Sequence, residues 1–197
     1  MGINLQKGQK IDLTKGSIGL QHIMVGLGWD EAPQSSGGFL GLFNKPKPID
    51  CDASAILCGP SGKFRDLVYY GNLKLGNGSV VHQGDNLTGE GDGDDEQIMV
   101  DLKKLSPDIS KIVFVVNIYE ATSRKQHFGM IRNAFIRLVD MDKNTEICRF
   151  NLSDNYYGME GLVVGEIYKK DNEWKFNAIG QPVQSASRVD VIAAMYK

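Results

Sequence analysis

The sequence of 197 residues contains only three cysteines and three histidines, and neither type forms a recognised metal-binding or disulfide pattern. Cys51, Cys58 and Cys148 are widely spaced and form no CxxC knuckle, and their odd number does not suit a disulfide framework. Each one lies in an apolar or alternating run. This predicts three buried, reduced thiols rather than a zinc site or a set of disulfides.

Long apolar runs are absent as well, because no uninterrupted stretch approaches the ~18 residues that a membrane-spanning helix needs. Residues 1–7 contain no apolar stretch of the kind found in signal peptides. We therefore expect a cytoplasmic protein without stable membrane insertion. The 22 basic residues are balanced by 24 acidic ones, and this lack of a basic excess argues against nucleic acid as a partner.

Catalytic signatures are missing too, since the sequence has no G-x-S-x-G, H-E-x-x-H or Walker motif. His22 and His82 lie in or beside predicted strands, and His127 follows a polar stretch, so all three are interpreted as core or surface residues. Paired carboxylates could in principle catalyse hydrolysis, but no partner residue is positioned for that chemistry. The protein is therefore not expected to be an enzyme.

What the sequence does contain is a succession of short runs rich in β-branched and aromatic residues, separated by Gly, Asn and Asp. Trp174, Phe176 and Ala178 alternate with other residues, which predicts a strand with one covered face. Helical crossovers are absent, so we expect a mainly β fold, an antiparallel β-sandwich of two packed sheets with few short helices. The predicted strands are Lys10–Leu13, Ile23–Trp29, Asp52–Cys58, Leu67–Tyr70, Ser79–His82, Gln97–Leu102, Lys111–Tyr119, Ala134–Val139, Glu146–Leu152, Leu162–Lys169 and Glu173–Ile179.

The acidic residues are distributed unevenly, because six of them and no basic residue lie in Gly84–Glu96, here called the acidic segment. One interpretation is a solvated acidic loop. The other is a site for a hard cation, because crowded carboxylates repel each other by roughly 1 kcal/mol per pair at 4 Å even in water. Calcium takes about six to eight oxygen ligands, and the glycines between the acids allow backbone carbonyls to turn inward.

A second acidic pair, Asp50 and Asp52, stands at the entry to a predicted strand. Residues i and i+2 of a strand project from the same face, so both carboxylates could meet the acidic segment. The EF-hand pattern fails, because counting from Asp92 places Gln97 at the sixth position, where glycine is required. Calcium is the favoured ion, and magnesium, manganese and a plain acidic loop remain alternatives.

Several motifs occur in an order that can be compared with known families. They are Val25–Asp30 (VGLGWD), Asp50–Ser54 (DCDAS), Tyr70–Leu73 (YGNL), the acidic segment, Asn133–Val139 (NAFIRLV) and Gly165–Tyr168 (GEIY). In this order, within residues 1–181, the sequence resembles the TerD family of tellurium-resistance and stress proteins.

The resemblance implies a cytoplasmic β-sandwich that binds two calcium ions and has no established catalytic activity. It also implies an association with resistance to tellurite, phage and colicins and with stress responses. Carried over by motif, the candidate ligands are Asp50, Asp52, Asp85, Asn86, Glu90, Asp92, Asp94, Asp95 and Glu96. Second-rank candidates are Asn72 and Asp30.

Two segments depart from the family pattern within the single domain expected over residues 1–197. Residues 33–48 form a longer, Pro- and Gly-rich inserted loop, and its large apolar residues suit either a packed loop or a partner-docking surface. The tail 184–197 lacks the family's glycine-rich ending, and a helix is predicted over Ser187–Tyr196.

We therefore predict a calcium-binding, non-enzymatic stress protein, a scaffold or sensor whose partners are other stress and resistance proteins. One alternative is a metal-dependent hydrolase that uses the same carboxylates. Another is a calcium-dependent membrane-binding module, although the sequence has no large Lys/Arg cluster. The sequence predicts no oligomeric state.

Overall fold

The computed structural model describes residues 2–15, 19–31, 48–84, 93–152, 154 and 156–197. Most of these residues lie in strands: β1 Ile3–Leu5, β2 Lys10–Asp12, β3 His22–Glu31, β4 Cys51–Cys58, β5 Phe64–Val68, β6 Val80–His82, β7 Glu96–Asp101, β8 Lys111–Ile118, β9 Ile131–Asp140, β10 Thr145–Asn151, β11 Gly161–Lys170 and β12 Glu173–Val183. The helices are α1 Ala121–Arg124 and α2 Val189–Ala193, and 3₁₀ turns cover Phe128–Met130 and Ala194–Tyr196.

The strands form two packed six-stranded sheets, which confirms the predicted β-sandwich. Sheet A has the order β1-β10-β9-β3-β7-β6, and sheet B has the order β2-β12-β11-β8-β4-β5. Neighbouring strands are antiparallel except for β1 and β10, which pair in parallel with Ile3 opposite Cys148. The sequence did not predict β1, which pairs with the distant strand β10.

The core between the sheets is built from residues that alternate along the strands. On β12, Trp174, Phe176 and Ala178 are buried in this core, as their spacing predicts. The core also contains Cys51 and Cys148. All three cysteines are buried and free, which confirms the predicted buried thiols.

A second apolar cluster covers the outer face of sheet B. Ile56 of β4, Val113 of β8 and Val163 of β11 pack beneath Ile192 of α2. The continuous apolar run of β8 is therefore covered on both sides, as a central strand requires. The C-terminal helix is shorter than predicted, because α2 ends at Ala193 and the chain continues as a 3₁₀ turn.

One end of the sandwich gathers the strand termini that carry the acidic residues. The last part of β3 lies beside the start of antiparallel β7, with Leu27 opposite Glu96. In sheet B, the start of β4 lies beside the end of β8, with Cys51 opposite Ile118. The two sheets meet here, because the backbone N–H of Ala53 donates a hydrogen bond to the Glu96 carboxylate.

Candidate functional site

Glu96 is the most deeply buried of the described candidate carboxylates. It begins β7, and its side chain points between the two sheets with 1% of the residue's surface exposed. Its Oε2 accepts a hydrogen bond from the Ala53 backbone N–H at 2.5 Å. Burying a carboxylate costs free energy unless hydrogen bonds or opposite charges compensate for the lost water. The burial of the Glu96 carboxylate therefore requires neighbouring groups that donate hydrogen bonds to it or carry a compensating positive charge.

His82, at the end of β6, is one of those groups. Its ring is fully buried, and its Nδ1 accepts a hydrogen bond from the Gly84 backbone N–H at 3.1 Å. In the neutral ring the proton then lies on Nε2, which is 3.3 Å from Oε2 of Glu96 and 3.1 Å from the Ala53 carbonyl oxygen. His82 is a core histidine, and its second nitrogen is directed at the buried carboxylate.

Asp95 lies one residue earlier and is held against β3. Its Oδ2 accepts a hydrogen bond from the Trp29 backbone N–H at 2.7 Å, and its own N–H donates to the Leu27 carbonyl at 2.8 Å. Burial raises the pKa of the Asp95 carboxyl, the hydrogen bond from Trp29 offsets part of this increase, and the charges of Asp30 and Asp94 raise the pKa further. The surroundings of Asp95 therefore disfavour its charged form.

Asp94 faces away from Glu96, onto the outer face of sheet A. Its two carboxylate oxygens accept hydrogen bonds from Nε and Nη2 of Arg137 at 2.7 and 2.8 Å. The carboxylate also lies directly against Gly26 of β3, where a Cβ atom would clash with it. This close approach explains one glycine of the Val25–Asp30 motif.

Asp50 and Asp52 flank Cys51 at the entry to β4, and both are largely buried. Oδ2 of Asp52 accepts a hydrogen bond of 3.3 Å from Nδ2 of Asn117, the residue opposite it on β8. Oδ2 of Asp50 lies 3.6 Å from Nη1 of Arg124 in α1. Each carboxylate therefore has a polar partner in β8 or in the helix α1 that follows it.

Cys51 shows how closely the carboxylates of the two sheets approach each other. Burial raises the pKa of its thiol well above the ordinary value, and the charges of Asp52, Glu96, Asp50 and Asp95 add to this increase. Two of these acids come from the entry to β4 and two from the start of β7. Four of the predicted ligands therefore lie near this end of β4, and Asp52, which alternates with Cys51 along the strand, faces the outer side of sheet B.

The second-rank candidates Asp30 and Asn72 lie at the margins of this arrangement. Asp30 is exposed near the end of β3, where its Oδ2 accepts a hydrogen bond from Nδ2 of Asn133 at 2.7 Å, and its charge acts on Asp95. Asn72 lies in the turn after β5, where its Nδ2 donates to the Leu67 carbonyl at 2.8 Å. The described hydrogen bonds of Asn72 involve only this turn and the end of β5.

The remaining candidates, Asp85, Asn86, Glu90 and Asp92, lie outside the described residues, as does all of the inserted loop 33–48 except Pro48. In the part of the chain that the structure describes, no three His, Cys, Asp or Glu side chains are grouped closely enough to hold a metal ion. A full coordination shell would therefore need oxygens from residues 85–92 as well as from the four acids around Cys51.

Several residues that hold the candidate carboxylates are not predicted by the sequence reasoning. Arg137 and Arg124 are ordinary bases in the sequence, and their pairing with acids depends on which segments become neighbours. His82 carries no signal beyond its place in a strand. Asn117 carries one, because it is a polar side chain at the end of the otherwise apolar run of β8.

Comparison with known proteins connects this arrangement to one family. A profile described as the TerD domain matches residues 1–196. The chain belongs to the TerD family. This result confirms the resemblance that the sequence motifs carry, and the matched region includes nearly all of the C-terminal tail.

Relatives of this TerD-family chain are named for stress and resistance. Stress response protein SCP2 of Bacillus subtilis (strain 168) is 52% identical over 197 residues, 98% of each chain. Tellurium resistance protein TerD of Serratia marcescens is 41% identical over 92% of this chain and 91% of its own. These names describe resistance and stress-response proteins and refer to no enzymatic activity.

A solved structure of a TerD homologue from Streptomyces coelicolor A3(2) has the same fold. It superposes with a TM-score of 0.66 at 20% identity, covering 89% of this chain and 96% of its own. In the described part of the present chain, neither helix has the length and apolar character required to cross a membrane.

Proposed function

We propose that this TerD-family chain binds about two calcium ions through its acidic segment and the neighbouring strand ends. We further propose that it acts in stress response and tellurium resistance as a scaffold or sensor and catalyses no reaction. Calcium would neutralise the crowded carboxylates and hold the acidic segment in one conformation.

The crowding of carboxylates around Cys51 carries this proposal. Asp50, Asp52, Asp95 and Glu96 are all close enough to this thiol for their charges to raise its pKa, and Glu96 is almost wholly buried. Like charges at such a place repel each other, and a divalent cation would turn that repulsion into attraction. The donors are carboxylate oxygens, which suit a hard cation such as calcium.

Asp94 is expected to have a supporting role in this site. Both of its carboxylate oxygens receive hydrogen bonds from Arg137, and it lies on the opposite side of sheet A from Glu96. A bidentate pair of this kind is geometrically specific. We therefore expect Asp94 to anchor the end of the acidic segment, and its direct ligation of an ion stays a prediction from the sequence.

Two calcium ions require about 12–16 oxygen ligands. The four acids around Cys51 would supply part of that number. Asp85, Asn86, Glu90 and Asp92 are the proposed source of further side-chain oxygens, together with glycine carbonyls and water. The proposal therefore needs both the strand ends and the segment 85–92.

Calorimetric titration of the purified chain with calcium tests the proposal. We expect saturable binding of about two ions per chain. Removing calcium with a chelator should lower the melting temperature, because an ion that binds only the folded state stabilises it by mass action. A titration without saturable heat and a melting temperature that does not respond to the chelator would together refute calcium binding.

Glu96→Gln tests the buried carboxylate directly. The substitution keeps an oxygen that can accept the Ala53 hydrogen bond but removes the charge, so calcium affinity should fall by at least about tenfold. Glu166→Gln is the matched control, since Glu166 is a partly buried acid that binds Lys111 farther along sheet B. Equal calcium affinity in both variants would exclude Glu96 from the site.

Asp95→Asn separates calcium binding from stability. Because its surroundings raise the pKa of Asp95, its charge destabilises the fold when no cation is bound. The variant should therefore melt at a higher temperature than the natural chain in the presence of chelator, and it should gain less from added calcium. A variant that melts lower in chelator would contradict this account of Asp95.

The proposed scaffold or sensor role makes a separate prediction about partners. If calcium fixes the acidic segment, a partner that contacts this end of the sandwich should bind in calcium and dissociate in chelator. We expect such partners among other stress and resistance proteins. Binding assays with the purified candidates should show this dependence, and calcium-independent binding would contradict the sensor role.

A further inference from the structure

A pocket opens at the edge of sheet A, between the end of β1 and the end of β10. We call it the β1–β10 pocket. Its volume is about 360 Å³, which lies within the range of about 300–1,000 Å³ that is usual for small-molecule sites. It is lined by residues 4–7 at and after β1, by Phe150 and Asn151 at the end of β10, and by Asp154 and Tyr156 beyond it. None of these lining residues is a candidate calcium ligand.

The bottom of the pocket is held in place by packing against sheet B. Phe150 and Tyr156 are both buried. Their side chains lie against Gly180 of β12, where an added Cβ atom would be 3.1 Å from the Phe150 ring and 3.2 Å from the Tyr156 hydroxyl oxygen. The floor is therefore formed before a ligand enters, which reduces the conformational cost of binding.

Three amide side chains surround the opening of the pocket. Asn4, Gln6 and Asn151 are all exposed, and no hydrogen bond joins their side-chain amides to another described residue. Each amide donates through its NH₂ group and accepts through its carbonyl oxygen. The pocket thus has several accessible donors and acceptors that a ligand can reach.

One ion pair completes the lining of the pocket. Nζ of Lys7 donates to Oδ2 of Asp154 at 2.7 Å, and both side chains are about half exposed. Burial and then the charge of Asp154 raise the pKa of Tyr156 to about 12, so its hydroxyl group is neutral at physiological pH. The described lining therefore carries one positive and one negative charge, which neutralise each other.

We propose that the β1–β10 pocket binds a neutral molecule with several hydroxyl groups, such as a monosaccharide. A hydroxyl group both donates and accepts hydrogen bonds, so it can pair with any of the three amides and with either member of the ion pair. The absence of a net charge in the described lining suits a neutral ligand. This inference goes beyond the proposed calcium binding and does not depend on it.

Other classes of ligand fit the described lining less well. An anion would meet the charge of Asp154, and a cation would meet that of Lys7. An amino acid could use both charges, but it would first have to separate two groups that bind each other at 2.7 Å. An apolar molecule would displace water from a lining in which six of the eight residues are polar, and it would form no hydrogen bonds in return.

Titration with glucose, followed by NMR of the backbone and side-chain amides, tests this inference. We expect saturable shifts at Asn4, Gln6 and Asn151, with a dissociation constant on the order of millimolar for so small a ligand. Tetrahydropyran-2-methanol has the same ring with a single hydroxyl group. It should bind at least about tenfold more weakly, because most of the hydrogen bonds are lost.

Substitutions of the amides show whether the shifts arise in this pocket. Asn4→Ala and Asn151→Ala each remove one amide and should weaken glucose binding about two- to tenfold. Both positions are exposed, so both variants are expected to keep the fold. Gln184→Ala is the matched control and should leave the affinity unchanged, since Gln184 is an exposed amide outside the lining.

Lys7→Met tests the contribution of the ion pair. The variant removes the Lys7 donors and leaves the charge of Asp154 without its partner, so glucose binding should weaken about two- to tenfold. An exposed ion pair adds little to stability, so the melting temperature should change little. Lys63→Met, at an exposed lysine outside the lining, should have no effect on binding.

Several results would overturn the proposal. They are the absence of saturable glucose shifts, equal binding of glucose and tetrahydropyran-2-methanol, and an unchanged glucose affinity in both asparagine variants. Glycine is titrated in parallel, because it carries both charges of an amino acid. If glycine binds more tightly than glucose, with shifts at Lys7 and Asp154, the pocket is a site for zwitterions and the polyol assignment is wrong.

The ligand could be a free sugar or one unit of a longer saccharide, and a parallel titration with maltotriose compares these sources. Tighter binding of maltotriose would assign the pocket to a saccharide chain, whereas equal affinity would assign it to a single sugar; both support a polyol site. The titrations are carried out in chelator and in saturating calcium. Glucose binding without calcium binding would refute only the calcium proposal, and the reverse result would refute only the polyol site.

Discussion

The outer faces of the two sheets are stabilised by different chemistry. On sheet B, Val113 and Val163 are covered by Ile192 and its neighbours in the C-terminal helix α2. On sheet A, the outer face carries a polar network in which Arg137 binds Asp94 and lies 3.4 Å from Glu146. One face thus depends on the hydrophobic effect and the other on paired charges.

This difference predicts that the two faces respond differently to changes in the acidic segment. Among the described residues, the C-terminal tail covers the apolar cluster of sheet B, so the stability of this cluster should not depend on calcium. The network of sheet A begins at Asp94, immediately beyond the segment 85–92. Changes in the acidic segment should therefore reach sheet A through the bond between Asp94 and Arg137.

The largest effect is expected where the apolar cover of sheet B is broken. Ile192 is fully buried, so Ile192→Ala should lower the free energy of unfolding by about 2–5 kcal/mol. Val191→Ala, at a neighbouring position that is 45% exposed, should change it by less than about 0.5 kcal/mol. Urea unfolding measures both, and equal effects would show that α2 does not cover sheet B.

Breaking the charged network of sheet A should have the next largest effect. The Asp94 side chain is fully buried, and Arg137 donates its main hydrogen bonds. Arg137→Ala leaves this buried carboxylate without them and should lower the free energy of unfolding by about 1.5–3 kcal/mol. The exposed pair of Arg188 and Asp190 provides the control, because Arg188→Ala should cost no more than about 1 kcal/mol.

A double-mutant cycle identifies the partner of Arg137. If the bond to Asp94 accounts for the loss, Asp94→Ala in the Arg137→Ala background should cost much less than Asp94→Ala alone. Additive losses in urea unfolding would mean that the two residues act independently, and the proposed link between the acidic segment and sheet A would then be wrong.

The close contact between Gly26 and Asp94 permits a sharper test of the same face. Gly26→Ala places a Cβ atom against the Asp94 carboxylate and should destabilise the chain by about 1–3 kcal/mol, because Asp94 must shift from Arg137. Gly76→Ala is the matched control, since a Cβ atom there meets nothing within 4 Å. Similar melting temperatures for the two variants would contradict the tight packing at Gly26.

The smallest effect is expected at one end of sheet A, where Nδ1 of His22 at the start of β3 lies 2.7 Å from Oδ1 of Asp142. This hydrogen bond holds the pKa of Asp142 below its ordinary value. The folded chain therefore binds that proton less tightly than the unfolded chain, whose carboxyl has a pKa of about 3.9. The stabilisation is present above that pH and is lost as the pH falls through the lowered value.

Asp142→Asn should consequently reduce the melting temperature slightly at neutral pH, and the difference from the natural chain should disappear in acid. Thermal unfolding over a series of pH values measures this change. A difference that persists unchanged below the lowered pKa would show that the charge of Asp142 is not the cause.

Much of the fold could be predicted from the sequence because it depends on local periodicity. The alternation at Trp174, Phe176 and Ala178 predicts which side of β12 is buried, and the apolar run of β8 predicts a strand covered on both faces. The parallel pairing of β1 with β10 could not be predicted, since it depends on a contact between distant parts of the chain.

The candidate site was predictable in composition but not in geometry. The acidic segment and the pair Asp50 and Asp52 identify the carboxylates, and four of the described ones do approach Cys51. Their partners could not be identified in the same way, because Arg137 and His82 become neighbours of Asp94 and Glu96 only when the sheets have formed.

The sequence by itself determined that this protein has short alternating strands and a concentration of uncompensated acids, because both are properties of neighbouring residues. The tertiary structure decided which partner each of the three consecutive acids in 94–96 contacts. Asp94 binds Arg137 outside sheet A, Asp95 binds the backbone of β3, and Glu96 points into the interior. Of these three acids, only Glu96 belongs to β7, so strand alternation does not fix where Asp94 and Asp95 point, and the packing of the two sheets determines the partner of each acid.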